Sequence, residues 1–349
     1  MRQVRVHGPG DVRLDEVEAP PEPGPRDAIV RPTVCGVCGT DVGYVRLGGL
    51  AGPGPEPLAL GHEVAGVVEA VGAEVSGLGA GDRVALNPTA QGNMIGNGGP
   101  GGGLGERLLV RAAAAGDSLH RLPDQLSDEL AALTEPLGVG LHAVDRTEVR
   151  PGERVAVFGA GPIGLAAIAC LRDKGIDGVV AVDPSPARLD RAAALGAAET
   201  IDPTEVDVWA ALADRHGTTP LMGTPQAATE VFIEASGAPT VLEEVIGSAR
   251  RGARLVVVAL HRRDVPVSFL DVLMRELTIR GSMEYPADFT RMIRLLERTD
   301  LTAMISDRFG LDDALAALAL AESGRSAGKI LVEIPGGRQP GRRAVRNVT

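Results

Sequence analysis

The chain has 349 residues, 44% hydrophobic and 23% charged, and its 35 basic and 46 acidic side chains give a formal net charge of −11. Single domains hold about 100–200 residues, so this length suits two cores. An acidic surface repels phosphate backbones, which argues against nucleic acid as a partner, and no apolar run reaches the ~18 residues of a membrane helix.

The opening segment MRQVRVHGPGDVRLDEVE alternates charge and hydrophobe and lacks the apolar core of a secretory leader. The expectation is a cytoplasmic protein without membrane contact. Residues 1–150 read as strands and turns. Short β-branched runs at 28–34, 64–71, 82–87 and 106–112 predict strands, with Gly and Pro as punctuation. The glycine-rich stretch 87–105 predicts loop. Near Val149 the pattern changes. Strands are predicted at 154–158, 178–183, 230–235, 254–260 and 276–281, with helices near 162–174, 186–195, 205–215 and 239–250. Such alternation predicts a parallel sheet with helices on both faces. Helices near 286–298 and 311–323 and a strand at 329–334 follow. The tail 336–349, rich in arginine and glycine, reads as mobile.

The most interpretable segment of the second half is RVAVFGAGPIGLAAIACL, residues 154–171. A buried strand runs into Gly159-Ala160-Gly161-Pro162-Ile163-Gly164 and then a helix. Glycines there allow a tight turn, close approach of backbone to a pyrophosphate, and close packing of helix on strand. The helix start supplies free N–H groups and a favourable dipole for anionic phosphates. Asp183 ends the next strand. A carboxylate there accepts hydrogen bonds from both ribose hydroxyls and repels the extra phosphate of NADP, so NAD is the expected cofactor. Arg188 can face the adenosine half. This is the pattern of a Rossmann domain.

Three cysteines (Cys35, Cys38, Cys170) are too few for a disulfide framework. One of them stands in a suggestive setting. Cys35-Gly36-Val37-Cys38-Gly39-Thr40-Asp41, Gly61-His62-Glu63 and Thr134-Glu135-Pro136-Leu137 together offer thiolate, imidazole and carboxylate, a donor set that suits zinc. Their spacing is too wide for a zinc finger. It fits a catalytic site assembled from separate loops with one position open to substrate. Cys35 invites a Cys-x-x-Cys reading with Cys38, but no second such pair completes a closed site. Cys170 reads as core, Asp41 as structural or as support to a ligand, and His142 as packed. His7, His120, His216 and His261 have no supporting context.

With these motifs in view, the chain resembles the zinc-containing medium-chain dehydrogenase/reductase family over nearly all of residues 1–335. GHEVAGVVEAVGAEV (61–75) is similar to that family's zinc signature. TEPLGVGLHAV (134–144) and ELTIRGS (276–282) resemble its polyol branch, the sorbitol and butanediol dehydrogenases. The resemblance implies an α/β fold: a GroES-like, mainly-β catalytic domain at 1–148 and 285–335, and an NAD-binding Rossmann domain at 149–284. It makes Cys38 and His62 zinc ligands, and Glu63 and Glu135 ligands or near-ligands. Replacing a second cysteine by glutamate keeps the ligated site formally neutral, so one glutamate is expected to bind directly at a time. The implied reaction is hydride exchange between NAD and a secondary alcohol or its ketone, with substrate entering between the domains and Thr40 taking up the alcohol proton. Polyol, vicinal diol or sugar alcohol is the first substrate reading, and L-threonine or another amino alcohol the second. A zinc-free reductase and a non-catalytic dinucleotide-binding protein stay open, although Cys38, His62, Glu63 and Glu135 together argue against both.

Two departures from the family pattern stand out. Many relatives hold a second zinc with four cysteines where this chain has 87–105, without any cysteine, so one catalytic zinc and no structural zinc is expected. Many also carry a proton-relaying histidine where this chain has Gly43. Proton exit must then use the ribose, water or Tyr44. The resemblance implies a homodimer or homotetramer, with the strands at 254–260 and 276–281 as candidate pairing edges.

Overall fold

The computed structural model describes residues 1–286 and 288–335. The expected mobile tail at 336–349 lies outside the described residues. The chain forms two compact units: Met1–Leu133 with Arg308–Arg325 and the segment from Ile330, and Thr134–Asp307 with Ser326–Lys329. The sequence reading puts the limits at 148/149 and 284/285. The difference arises from two helices, Thr134–Thr147 and Thr290–Arg298, that pack within the second unit. Gly140 lets the first lie directly on the helix Pro162–Asp173, since a Cβ there would stand 2.6 Å from Ala166 Cβ. Arg291 on the second helix pairs with Asp145 at 2.7 Å.

In the first unit, Arg2–Gly8, Asp11–Glu16 and Leu58–Ala59 form a small antiparallel sheet. The larger sheet runs Ile305–Gly310, Lys329–Glu333, Ala28–Val37, Glu63–Val71, Arg83–Leu86, Leu119–Arg121, with Leu108–Val110 also on Ala28–Val37. Its two long strands are rich in valine, whose branched Cβ suits a pleated surface. Val30, Val64 and Val68 are buried with Leu60, Leu104 and Leu108 in one core. These strands are antiparallel, with Gly36 opposite Glu63 and Cys35 opposite Val64.

The stretch 87–105 is loop with a single 3-10 turn at Ala90–Gly92, and it is internally tied. Asn93, 7% exposed, donates to Ala90 O (2.8 Å) and Arg111 O (2.9 Å) and accepts from Arg111 N (2.8 Å). Ile95 and Leu104 anchor it in the core. Gly103 N donates to Gly61 O at 2.7 Å. A Cβ on Gly96 or Gly102 would lie 2.2 Å from the carbonyl oxygen of Gly61 or Leu60 respectively. The glycines therefore let backbone lie on backbone beside the segment that carries His62.

In the second unit six parallel strands stand in the order Glu199–Ile201, Val179–Val182, Val155–Phe158, Val231–Glu234, Arg254–Val257, Thr278–Gly281. This is the strand order of a doubly wound, Rossmann-like sheet, with its switch point between the strands ending at Phe158 and Glu234. Phe158, Phe232 and Trp209 pack with ring centroids 5.9–6.4 Å apart beneath it. Several elements correct the sequence reading. Glu199–Ile201 is too short to show a strand pattern, and only Ile201 is buried. Gly39–Leu47, Thr134–Thr147 and Phe269–Arg275 are helices, the first two where strands and turns are expected. Gly43, Gly138 and Gly140 weaken the local helix signal, and the first two helices form because their tertiary neighbours bury one side. Among the described residues, no helix is long and apolar enough to cross a membrane.

His216 ends the helix Val208–His216 inside the second unit. Its Nδ1 meets Thr229 Oγ1 at 2.8 Å and its Nε2 meets Gly178 O at 3.2 Å. Burial pushes its pKa below the ordinary histidine value. A histidine depressed in the folded state takes up its proton more readily when unfolded, so its contribution to stability is present above about pH 6.5 and is lost as pH falls through the folded value. His216→Gln should therefore flatten the fall in melting temperature on the acid side of pH 6.5. An unchanged profile would discard this assignment.

Candidate metal centre and dinucleotide edge

The register that sets Gly36 against Glu63 also sets the residues just beyond each strand end near one another. Cys38 follows one strand and caps the helix Gly39–Leu47, and His62 precedes the other. The donor atoms of Cys38, His62 and Glu63 all lie within 4.8 Å of one another. His62 and Glu63 are buried, and Cys38 is partly exposed, which leaves the cluster an open side.

Asp41, fully buried, joins the two segments. One of its oxygens accepts from Cys38 N at 2.9 Å, and the other accepts from Gly61 N at 3.2 Å and stands 3.6 Å from His62 Nδ1. Burial works against the charged form of His62, but the Asp41 carboxylate and the Cys38 sulfur outweigh it and hold the ring well above the usual histidine range. Gly36 is required by Glu63: a Cβ there would fall 1.9 Å from Glu63 Oε2. Burial pushes the Cys35 thiol up, which favours its protonated form.

The donor set fits zinc. Bonds of about 2.0–2.3 Å place tetrahedral ligands roughly 3.5 Å apart, so donors already this close need only a small closure. Thr40 lies in the first turn of the helix behind Cys38, half-buried. Tyr44 on that helix donates to Asn97 Oδ1 at 3.1 Å. Glu135 belongs to the other unit, buried in the first turn of Thr134–Thr147.

At the carboxyl edge of the parallel sheet, the three glycines differ in what they must accommodate. Gly159 has φ +92°, and a Cβ would stand 2.7 Å from the Ser236 backbone. A Cβ on Gly164 would stand 1.8 Å from Gly159 O. At Gly161 a Cβ would meet no described atom within 4 Å. Gly161 caps the helix Pro162–Asp173, with Pro162 at its first position, where no N–H is needed, and Ile163 next. Asp183 is 3% exposed and accepts from Ala160 N (2.8 Å) and Ser185 N (2.9 Å), which fixes the turn and the strand end together. Arg188 lies 3.8 Å from Asp183 and donates twice to Ser326 O. A turn shaped in this way fits the pyrophosphate of a dinucleotide.

Two family models match the chain: an alcohol dehydrogenase GroES-like domain over residues 24–124, and a zinc-binding dehydrogenase domain over residues 162–298. The (R,R)-butanediol dehydrogenase of Neisseria gonorrhoeae is 32% identical, covering 95% of this chain and 99% of its own. The chain belongs to the zinc-type alcohol dehydrogenases of the medium-chain family. Human sorbitol dehydrogenase is also 32% identical, over 91% of this chain and 92% of its own. The crystal structure of 2R,3R-butanediol dehydrogenase from Bacillus subtilis aligns with TM-score 0.81 at 29% identity, over 95% and 99% of the two chains. This alcohol dehydrogenase stands with the polyol branch of its family and has the expected pair of GroES-like and Rossmann-type domains.

Of the residues singled out in the sequence, Cys38, His62 and Glu63 come together in the first unit, and Gly159–Gly164, Asp183 and Arg188 gather at one edge of the second. Gly36, which lies against Glu63, and the buried pair Glu234–His261 are not singled out by the sequence. Gly36 stands two residues before Cys38 but reads there as an ordinary strand glycine. Glu234 and His261 have no local signal, because one ends a strand and the other lies in the loop after the neighbouring strand.

Proposed function

We propose that this dehydrogenase interconverts a vicinal diol or polyol and its hydroxyketone, with one zinc and NAD. The observation that carries the reading is the thiolate–imidazole–carboxylate cluster of Cys38, His62 and Glu63 on the strand pair that fixes it. Zinc held there would act as a Lewis acid that lowers the pKa of the substrate hydroxyl, and a bound NAD would supply the hydride acceptor. Cys38 and His62 are the constant ligands, with Asp41 beside Nδ1 leaving Nε2 as the ring atom for the metal. One of Glu63 and Glu135 would be the third, since both at once would make the site anionic and a weaker acid. Thr40 Oγ1 takes up the hydroxyl proton and hands it on. Gly43 leaves the later steps to ribose, water or Tyr44. Gly159, Gly161, Pro162, Ile163 and Gly164 receive the pyrophosphate and Asp183 the adenosine ribose, with Arg188 against the adenosine. The loop at 87–105 is held by Asn93 and its own backbone, which supports the reading that it needs no structural zinc.

The substrate class rests on the butanediol and sorbitol dehydrogenase relatives. With NAD, kcat/KM should be at least about 10-fold higher for 2,3-butanediol or a sugar alcohol than for 2-propanol or L-threonine, the size of one added polar contact. Preference for a simple mono-alcohol or for L-threonine would reject the diol assignment.

We also propose that two copies pair through the outer strand Thr278–Gly281. It ends the sheet, Ile279 on it is exposed, and the adjoining helix leaves Phe269, Leu270 and Leu273 exposed at 79%, 70% and 68%. Apolar side chains grouped beside an open strand edge suit a second copy of the same edge. Leu270→Asp should shift a dimer or tetramer to a smaller species in light scattering. A wild-type monomer would end the idea. Three free thiols, one of them a proposed ligand, suit a reducing cytoplasm.

A further inference from the structure

His261 and Glu234 stand on the side of the switch point away from Asp183. Glu234 closes the strand Val231–Glu234, and His261 follows the neighbouring strand Arg254–Val257. Each half of a doubly wound sheet receives one nucleotide of a dinucleotide. With adenosine at Asp183, the edge at Glu234 and His261 faces the nicotinamide nucleoside.

Glu234 is fully buried and ties two rim segments together. Its Oε1 accepts from Ser236 N (2.8 Å), Ser236 Oγ (2.6 Å) and Gly237 N (2.8 Å). Its Oε2 stands 2.8 Å from His261 Nε2. A carboxylate only accepts, so Nε2 carries the proton. His261 Nδ1 is buried with no hydrogen-bond partner among the described residues. The ring is thus held in polar contact by Glu234 alone. Ser236 also walls Gly159, whose Cβ position lies 2.7 Å from the Ser236 backbone, so the clamp reaches the pyrophosphate turn.

We propose that His261, clamped by Glu234, is a positioning residue for the nicotinamide half of the cofactor. The clamp fixes the loops 235–237 and 259–261 as one rim against which that half is seated. This rests on the NAD reading above.

The test is direct titration of purified full-length protein with NADH, ADP-ribose and ADP, following fluorescence or heat. His261→Ala should weaken NADH about 10-fold or more, the effect of one lost charge-assisted hydrogen bond, and leave ADP within about 2-fold. ADP-ribose, which keeps the ribose and lacks the nicotinamide, shows which part is seated. His261→Gln can still donate to Glu234 from the Nε2 position and should recover most of the NADH affinity. His261→Leu, which fills the same space without a donor, should behave as the alanine variant and serves if that variant does not fold. Equal weakening of NADH and ADP, or wild-type NADH affinity in both His261→Ala and His261→Leu, overturns the proposal. If wild-type protein binds no NADH, the cofactor reading itself falls and takes the proposal with it.

Discussion

Cys38→Ser protein purified without chelators should carry almost no zinc, where the wild type carries about one per chain, and its turnover should fall by at least about 10³-fold. Three donors converge in the first unit, and Cys38 supplies the only thiolate among them. A serine hydroxyl is a far poorer zinc ligand at neutral pH, because it stays protonated. The remaining imidazole and carboxylate still lie close together, but two donors on one unit hold zinc weakly. The loss should be local. Cys38 is only partly buried, and the backbone N–H that it donates to Asp41 survives the change. Melting of the metal-free mutant should therefore match that of metal-free wild type within a few degrees. Metal analysis separates the alternatives. Full zinc in the mutant would remove Cys38 from the ligand set. Two zincs in the wild type would mean that a second site exists despite the cysteine-free loop. No zinc in the wild type would move the zinc-free reductase reading to first place.

The two parts of the site were legible to different degrees, for physical reasons. The dinucleotide turn is a local structure. Strand, glycines, helix and acidic residue follow within one stretch of chain, and the observed strand Val155–Phe158 and helix Pro162–Asp173 lie where the sequence places them. The metal cluster depends on pairing across the sheet. Residue types named Cys38, His62 and Glu63, but only the register with Gly36 opposite Glu63 explains why they meet. Gly36 itself reads as an ordinary strand glycine until the carboxylate is seen over it. Helix Thr134–Thr147 shows the opposite failure. Gly138 and Gly140 lower its propensity, and the same lack of a side chain lets it pack on Ala166 and Tyr285. Propensity reads such glycines as breakers, whereas tertiary packing uses them as contact points. The Glu234–His261 clamp lies beyond any local signal, since it joins a strand end to a loop 27 residues further along the chain.

Gly161→Val should remove cofactor binding without removing the fold. Gly159 and Gly164 are glycines for internal reasons: one has a positive φ and a backbone neighbour at 2.7 Å, and the other would collide with Gly159 O at 1.8 Å. Changing either disturbs the protein before any ligand arrives. Gly161 has neither reason. Its φ of −70° and ψ of −178° are open to any residue, and a Cβ would meet no described atom within 4 Å. The space kept clear there lies at the start of a helix, where backbone N–H groups and the helix dipole favour phosphate. A valine side chain would occupy that space and hold a pyrophosphate off the backbone. The expected result is NADH affinity reduced by about 100-fold or more, with a melting temperature within about 2 °C of wild type, as for a surface substitution. Gly164→Ala, by contrast, should lower both. A Gly161→Val protein that binds NADH normally would show that the pyrophosphate lies elsewhere. A large loss of stability in the same protein would mean that the clear space at Gly161 belongs to the folding of the turn and not to its ligand.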